Sequence, residues 1–328
     1  FAACVMSSSE ELELSDDDNF PPSEGVPALE FKTHLEKLQQ RDFDESTGLE
    51  LEFQKLETKS VRNGLFEEFQ TASESGNRTK NRYANVLPPE KTRVKLRTKE
   101  DFSSDYINAN YIGGREGPRT YIASQGPLKH TVNDFWRMIW EENCDTVVML
   151  TRVRENGRHK CHEYWPAEGE VYEDYGVQLV STDGDEALVE RTFKLKDNKT
   201  QEERTIVHFQ YAEWPDHGLP TCTLKFREML RKVDALHKVG NPILVHCSAG
   251  IGRTGTFCSV HITLHDLAEK GIDNCTINLP ETVLRLRKER TGMVQTRVQY
   301  EFCYVAILEE IENMKNNAKL SCSSSSQA

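Results

Sequence analysis

A single α/β domain is the fold class this sequence predicts, and three observations predict it. Two short apolar runs, Thr146-Val147-Val148-Met149-Leu150-Thr151 and Pro242-Ile243-Leu244-Val245-His246, read as buried strands. Apolar residues recur elsewhere at helical spacing, as at Phe226, Met229, Leu230 and Val233. Strand-like and helix-like segments are mixed along a chain of 328 residues, 37% of them hydrophobic, which can bury a sizeable core.

Residues 1–30 are acidic and Ser-rich, with Pro21, Pro22 and Pro27. They hold eight acids and no Lys or Arg, so most of the net charge of −12 lies there. An acidic disordered tail or linker is predicted over 1–30. The folded domain is expected from residue 31 to 315. Phe31, Leu35 and Leu38 fit an opening helix, and Phe135, Trp136, Ile139 and Trp140 a second one. The strand at 146–151 follows, then the helix around Phe226–Val233. The strand at 242–246 runs into a Gly-rich turn and an amphipathic segment from about Thr254 to Lys270. Tyr304, Ile307, Leu308 and Ile311 fit a closing helix. All these apolar positions read as core packing. The polar, low-complexity end, 316–328, is expected to be a disordered C-terminal tail.

Several function classes are excluded. A general nucleic-acid binder would show a basic face, and this chain is acidic. Nine cysteines are too sparse for a disulfide scaffold, and none shows zinc-type CxxC spacing, so a reduced compartment is expected. Cys161 and His162, with His159, lack a further ligand pair, and packing or surface roles are expected for them. No apolar run is long enough to span a bilayer, and residues 1–6 lack the pattern of a signal peptide. The chain begins with Phe1, and a fragment of a longer protein is expected. The expectation is a cytoplasmic monomer, or the cytosolic part of a longer protein, with no metal and no cofactor.

The sharpest signal is His246-Cys247-Ser248-Ala249-Gly250-Ile251-Gly252-Arg253-Thr254-Gly255. A thiol and an arginine flank five residues rich in Gly and small side chains, between an expected strand and an expected helix. A chain turning there can aim several backbone N–H groups inward as an anion nest. The positive end of the following helix adds to the field. Arg253 can grip two phosphoryl oxygens at once. The same field favours thiolate over thiol at Cys247. The stretch Gly250-x-Gly252-x-x-Gly255 also matches a dinucleotide fingerprint, with Asp273 near the distance of a ribose-binding acid. That reading leaves Cys247 and Arg253 unexplained, and no second βαβ half follows. No Gly-Lys-Ser/Thr is present in the loop for a Walker motif, and a buried Cys beside a turn is the plain structural alternative.

At these residues the chain resembles the Cys-dependent protein tyrosine phosphatases. The resemblance runs over roughly 35–315 and includes Lys80-Asn81-Arg82-Tyr83, Asp105-Tyr106-Ile107-Asn108-Ala109, Gln125-Gly126-Pro127, Asp134-Phe135-Trp136, Tyr164-Trp165-Pro166, Trp214-Pro215-Asp216-His217-Gly218 and Gln295-Thr296 through Gln299. It implies one phosphatase domain with a twisted mixed sheet flanked by helices, acting on phosphotyrosine-containing proteins. It also implies roles. Cys247 is the nucleophile that forms a phosphocysteine. Ser248, Ala249, Gly250, Ile251 and Gly252, with Arg253, bind the phosphoryl group. Asp216, on a mobile loop with Trp214, Pro215 and Gly218, is the general acid and then base. Gln295 positions the attacking water, assisted by Gln299. Thr254 hydrogen-bonds the sulfur, and His246 orients the loop.

Glu155 matches the acid that pairs with the loop arginine, and Lys160 the lysine beside the acid-bearing loop. A solvated surface charge is the alternative for each of these two. Asp216 could instead be a turn acid before Gly, and Thr254 an ordinary first-turn hydroxyl. Tyr83 matches the aromatic that stacks on the substrate ring, with a core tyrosine as the alternative. Asn85 stands where many members carry Asp, which keeps an acceptor for the substrate backbone but loses the charge. Ala84 replaces a basic residue of some members. A phosphotyrosine-binding relative without turnover would lack the nucleophile or the acid, and Cys247, Arg253, Asp216 and Gln295 are all present.

Overall fold

The computed structural model describes residues 25–41, 46–64, 68–98, 104–113, 121–166, 169–214, 220 and 222–325, with the backbone alone for 62–64 and 318–325. The helices are α1 (Phe31–Gln39), α2 (Gly48–Gly64), α3 (Gln70–Ser73), α4 (Val132–Glu141), α5 (Leu224–Leu236), α6 (Gly252–Lys270), α7 (Leu279–Glu289) and α8 (Arg297–Ser325). The strands are β1 (Val26–Pro27), β2 (Arg93–Lys95), β3 (Tyr106–Ile112), β4 (Tyr121–Ser124), β5 (Thr146–Met149), β6 (Arg154–Glu155), β7 (Arg158–His159), β8 (Glu170–Tyr172), β9 (Tyr175–Gly184), β10 (Leu188–Asp197), β11 (Glu203–Tyr211), β12 (Ile243–His246) and β13 (Thr276–Ile277).

Nine strands form one sheet in the order β2-β3-β4-β12-β5-β11-β10-β9-β8. The four central strands, β4, β12, β5 and β11, pair in parallel, and the outer pairs are antiparallel, so the sheet is mixed as expected. Successive side chains of a strand point to opposite faces, and the two apolar clusters follow that alternation. Val148 and Leu150 near β5, with Ile243 and Val245 of β12, join the cluster that holds the buried residues of α1, α2, α5, α7 and α8. Val147, Met149 and Leu244 join the opposite cluster, with α4 and the β9–β10 hairpin. Both faces of the central strands are therefore covered, which is why their sequences are continuous apolar runs.

The Gly-rich turn begins where β12 ends and finishes where α6 starts. Ligand sites in open α/β sheets lie at the carboxyl ends of parallel strands, and this turn occupies that place.

Three expectations change. Val26 and Pro27, assigned to a disordered tail, pair with Ile277 and Thr276, and Ala28 behind them is buried, so the packed body starts before residue 31. Residues 1–24 of that segment lie outside the described residues. The C-terminal tail was expected from 316, yet α8 continues to Ser325 because no Pro or Gly interrupts it. The segment 254–270 is not amphipathic. From Gly252 through His261 the helix is buried on nearly every turn except at Arg253, because α6 runs through the middle of the helical layer. Its small residues Gly255, Thr256 and Ser259 permit close approach. A Cβ on Gly255 would lie 2.2 Å from the backbone N of Val294.

Trp136 of α4 is 1% exposed, packs edge-on to Tyr164 and Phe193, and donates its Nε1–H to the Tyr164 carbonyl at 2.9 Å. Replacing Trp136 by Ala is expected to lower unfolding stability by about 3–5 kcal/mol. Urea denaturation at pH 7 measures it, and a loss well under 1 kcal/mol would contradict the packing described.

Candidate active site

The turn after β12 closes around the Cys247 sulfur. The Gly250 N–H donates to Sγ at 3.2 Å. Gly250 has φ +73°, and a Cβ there would fall 2.2 Å from the Ser124 carbonyl oxygen, so glycine is required on both counts. The loop carbonyls are all engaged by donors. Cys247 O accepts from His246 Nδ1 at 3.1 Å and Ser248 O from the Gly126 N–H at 3.0 Å. Ala249 O and Gly250 O accept from Arg290 Nη2 and Nε at 3.1 and 2.9 Å. Ile251 O accepts from the N–H groups of Gly255 and Val294 at 2.8 and 3.2 Å. With the carbonyls so held, the loop turns its N–H groups, with the N-terminus of α6 behind them, toward an anion.

Arg253, in that first turn, is held flat by Glu155. Nη1 and Nη2 donate to Oε1 and Oε2 at 2.6 and 3.0 Å, and Nη1 also donates to the Leu150 carbonyl at 3.0 Å. Glu155 further accepts from the Thr151 hydroxyl and the Arg152 N–H, and it is 7% exposed. It is thus no solvated surface charge. A bidentate pair of this kind fixes the plane of the guanidinium. The Trp214 ring centroid lies 6.0 Å from Arg253 Cζ.

Two buried groups lie under the loop. Arg290 is fully buried, and beyond the two loop carbonyls it donates to Asn110 Oδ1 and Asn108 Oδ1 at 2.6 and 2.7 Å. Burial pushes its pKa down to about 10, which leaves it a cation at neutral pH. Tyr164 joins His208 to His246, its hydroxyl 2.8 Å from Nε2 of each ring. Because His246 Nδ1 must donate to a carbonyl, the neutral ring accepts at Nε2. The Tyr164 O–H therefore donates to His246, and His208 Nε2–H donates to Tyr164. Burial lowers the His246 pKa to about 4 and that of His208 well below its usual value.

A cleft of about 470 Å³ opens above the sulfur. It is lined by Cys247, Ser248, Ala249, Gly252 and Arg253 from the loop. Glu155 and Lys160 line it from the β6–β7 hairpin and its exit, and Tyr83 and Asn85 line another wall. Gln295 and Gln299 complete it. Ser248 Oγ donates to the Lys160 carbonyl at 2.8 Å, so the Tyr83 hydroxyl donates to Ser248 Oγ at 2.9 Å. Tyr83 is 36% exposed and so stands at the mouth rather than in the core. Its loop is strapped down by Arg82, which donates to the carbonyls of Gly126 and Pro127 at 3.0 and 2.8 Å.

Three expected roles fare differently. Asp216, with Pro215, His217 and Gly218, lies outside the described residues. The Thr254 hydroxyl, expected on the sulfur, is buried without a hydrogen-bond partner among the described residues, while the Gly250 N–H makes the sulfur contact. Gln299 caps α8. Its Oε1 accepts from the N–H groups of Gln295 and Thr296, and its own N–H donates to Thr296 Oγ1, a reciprocal box that fixes the cleft edge.

Arg290, Arg287 and the Tyr164–His208 pair carry weight that sequence reasoning did not assign them. A signal existed for the arginines. Val283, Leu286, Arg287 and Arg290 share the inward face of α7 and its end, so two cations occupy core register.

Residues 77–309 match the family profile of the protein-tyrosine phosphatases. The chain belongs to that family. It is 40% identical over 302 residues to receptor-type tyrosine-protein phosphatase S of Gallus gallus, covering 89% of this chain and 19% of the relative. It is 41% identical over 291 residues to the Lar-like tyrosine-protein phosphatase of Caenorhabditis elegans, covering 88% and 13%. It is 38% identical over 326 residues to tyrosine-protein phosphatase 2 of Dictyostelium discoideum, covering 80% and 84%. The chain thus spans about a fifth or less of the length of the first two relatives. The phosphatase family match begins after α1 and α2 and ends within α8.

The buried imidazoles make a pH prediction for this phosphatase domain. In the unfolded chain His246 takes up a proton near 6.5, whereas the folded ring resists protonation down to about 4. Its folded pKa is depressed, so stability is lost as pH falls through that window. The loss from His246 should reach about 2 kcal/mol by pH 5. Urea midpoints at pH 7 and pH 5 test this, and a flat or rising profile would contradict it.

Proposed function

We propose that this chain hydrolyses phosphotyrosine in proteins through a phosphocysteine intermediate, without a metal or cofactor. The observation that carries the reading is the loop itself, a sulfur receiving a backbone N–H beneath a guanidinium that Glu155 holds in plane.

In the first step the Cys247 thiolate attacks phosphorus. The S–P bond forms, the P–O bond to the aryl group breaks, and Asp216 gives its proton to the leaving phenolate. The charge on the equatorial oxygens is met by the loop N–H groups and by Arg253. In the second step water attacks phosphorus, its proton passes to Asp216, and the electron pair of the S–P bond returns to sulfur. Gln295 orients that water from the cleft wall. Tyr83 and Asn85 stand at the mouth, where a phenyl phosphate passes and the peptide backbone rests. His246, kept neutral and bonded to the Cys247 carbonyl, acts as a positioning residue and not as the base.

The described cysteines, Cys247 among them, are all free, which suits a reducing, cytosolic setting. Among the described residues no helix is long and apolar enough to cross a membrane. A cytosolic portion of a longer protein, acting as a monomer on phosphotyrosyl proteins, is the form this reading takes.

The test is hydrolysis of p-nitrophenyl phosphate in EDTA. Parent protein should turn over, Cys247→Ser should show no activity above buffer, and Asp216→Ala should lose about 10²–10⁴-fold in kcat. Activity that survives in Cys247→Ser would refute the assignment.

A further inference from the structure

α2 lies outside the part of the chain that matches the family profile, yet its side chains reach both flanks of Gln295. On one flank stands Arg287, buried in α7. It donates from Nη2 to Glu57 Oε1 at 2.7 Å and from Nη1 to Ser60 Oγ at 3.0 Å, both on α2. The same guanidinium donates from Nε to the Met293 carbonyl and from Nη2 to the Val294 carbonyl, each at 2.8 Å. Those are the last two carbonyls before Gln295. Phe53 of α2 packs on this group, its ring centroid 5.5 Å from Arg287 Cζ. On the other flank Glu52 Oε1 accepts from the hydroxyls of Tyr300 and Tyr304, each at 2.7 Å, one turn and two turns into α8.

The residue between these ties is strained. Val294 is β-branched and fully buried, and it has φ +55°. Such a conformation persists only where the surroundings over-determine it. On the loop side, Val294 donates its N–H to Ile251 O and packs against Gly255. On the other side its carbonyl is held by Arg287, and Arg287 by α2. If Val294 relaxed to an extended conformation, the next peptide would rotate and Gln295 would leave the cleft wall.

We propose that α2 is a brace for the second chemical step, acting through Glu57 and Ser60 on Arg287 and through Glu52 on Tyr300 and Tyr304. It holds Val294 in the left-handed conformation that aims Gln295 at the attacking water. These are positioning residues, since none of them touches the reacting atoms. The proposal rests on the phosphatase reading above. It assigns the brace to hydrolysis of the S–P bond, in which water supplies the new P–O bond and the sulfur leaves with the electron pair. Formation of that bond, which needs Cys247, Arg253 and Asp216, does not depend on it.

Quenched-flow single turnovers, with enzyme in excess over p-nitrophenyl phosphate, separate the two steps. Nitrophenol release reports formation of the S–P bond, and phosphate release reports its hydrolysis. In a Glu57→Ala/Ser60→Ala variant, phosphate release should slow about five- to tenfold, with nitrophenol release within twofold of the parent. Glu57→Gln, which removes only a half-exposed charge and leaves an acceptor beside Arg287, covers the case in which the double variant fails to fold. It should slow phosphate release two- to threefold. Glu57→Asp should restore the parent ratio of the two rates. Equal slowing of both steps would mark a general loosening and overturn the brace, as would no change in either. If the parent itself releases no nitrophenol, the phosphatase reading falls and the brace with it. Normal parent turnover with an unchanged ratio in the variants removes the brace alone.

Discussion

The structure depends on a buried cation holding carbonyls. A turn of small residues has as many C=O groups as N–H groups, and an anion is bound only if the two sets are sorted. Arg290 sorts them. Its guanidinium takes the carbonyls of Ala249 and Gly250 from one side and the amide oxygens of Asn108 and Asn110 from the other. The neighbouring carbonyls are taken by His246, Gly126, Gly255 and Val294. An isolated buried charge is costly, and this one persists because four oxygens surround it. Its positive charge also adds to the field at the sulfur, since Cys247 and Arg290 interact electrostatically.

The surrounding layers serve that sorting. The parallel centre of the sheet brings Ser124 at the end of β4, Leu150 beyond β5 and His246 of β12 together, where the Ser124 carbonyl lies against Gly250 and the Leu150 carbonyl accepts from Arg253. The Leu150 N–H donates to the His246 carbonyl at 2.8 Å, which ties the strand end to its neighbour just before the loop departs. The Tyr164 hydroxyl fixes the tautomer of His246, so that its Nδ1–H is available for the Cys247 carbonyl. Polar groups buried in this way are specific when their donors and acceptors are paired, and in the chain from His208 to Cys247 every ring or hydroxyl donor has a partner, the acceptor His208 Nδ1 alone being without one among the described residues.

Much of this was legible in the sequence, and the rest was not for identifiable reasons. The strands at 146–151 and 242–246 were legible because both of their faces are buried, so no polar residue breaks the run. The loop was legible because a thiol, glycines and an arginine at that spacing serve few other purposes. The character of α6 was misjudged because its first half packs against α7, α8 and β12 and shows no polar stripe, whereas only its last turns carry exposed positions. Val26 and Pro27 were assigned to the tail because the acidity of the first thirty residues masks a two-residue strand at their end. The Gly250 N–H on the sulfur was not legible residue by residue, because which loop amide faces Cys247 is set by backbone angles that no residue type records. Arg290 went unread because its partners are backbone carbonyls and side-chain amides distant in sequence, and Arg287 because its carboxylate partner, Glu57, lies 230 residues away. Glu155 was readable as a partner of Arg253 only by resemblance, since 98 residues separate them.

The most direct measurement is a crystal structure of the protein soaked with tungstate. The account predicts the oxyanion seated above Cys247, its oxygens about 3 Å from loop N–H groups and from the Arg253 guanidinium, with the Ala249 and Gly250 carbonyls still turned to Arg290. An oxyanion bound elsewhere, or loop carbonyls facing it, would contradict the account.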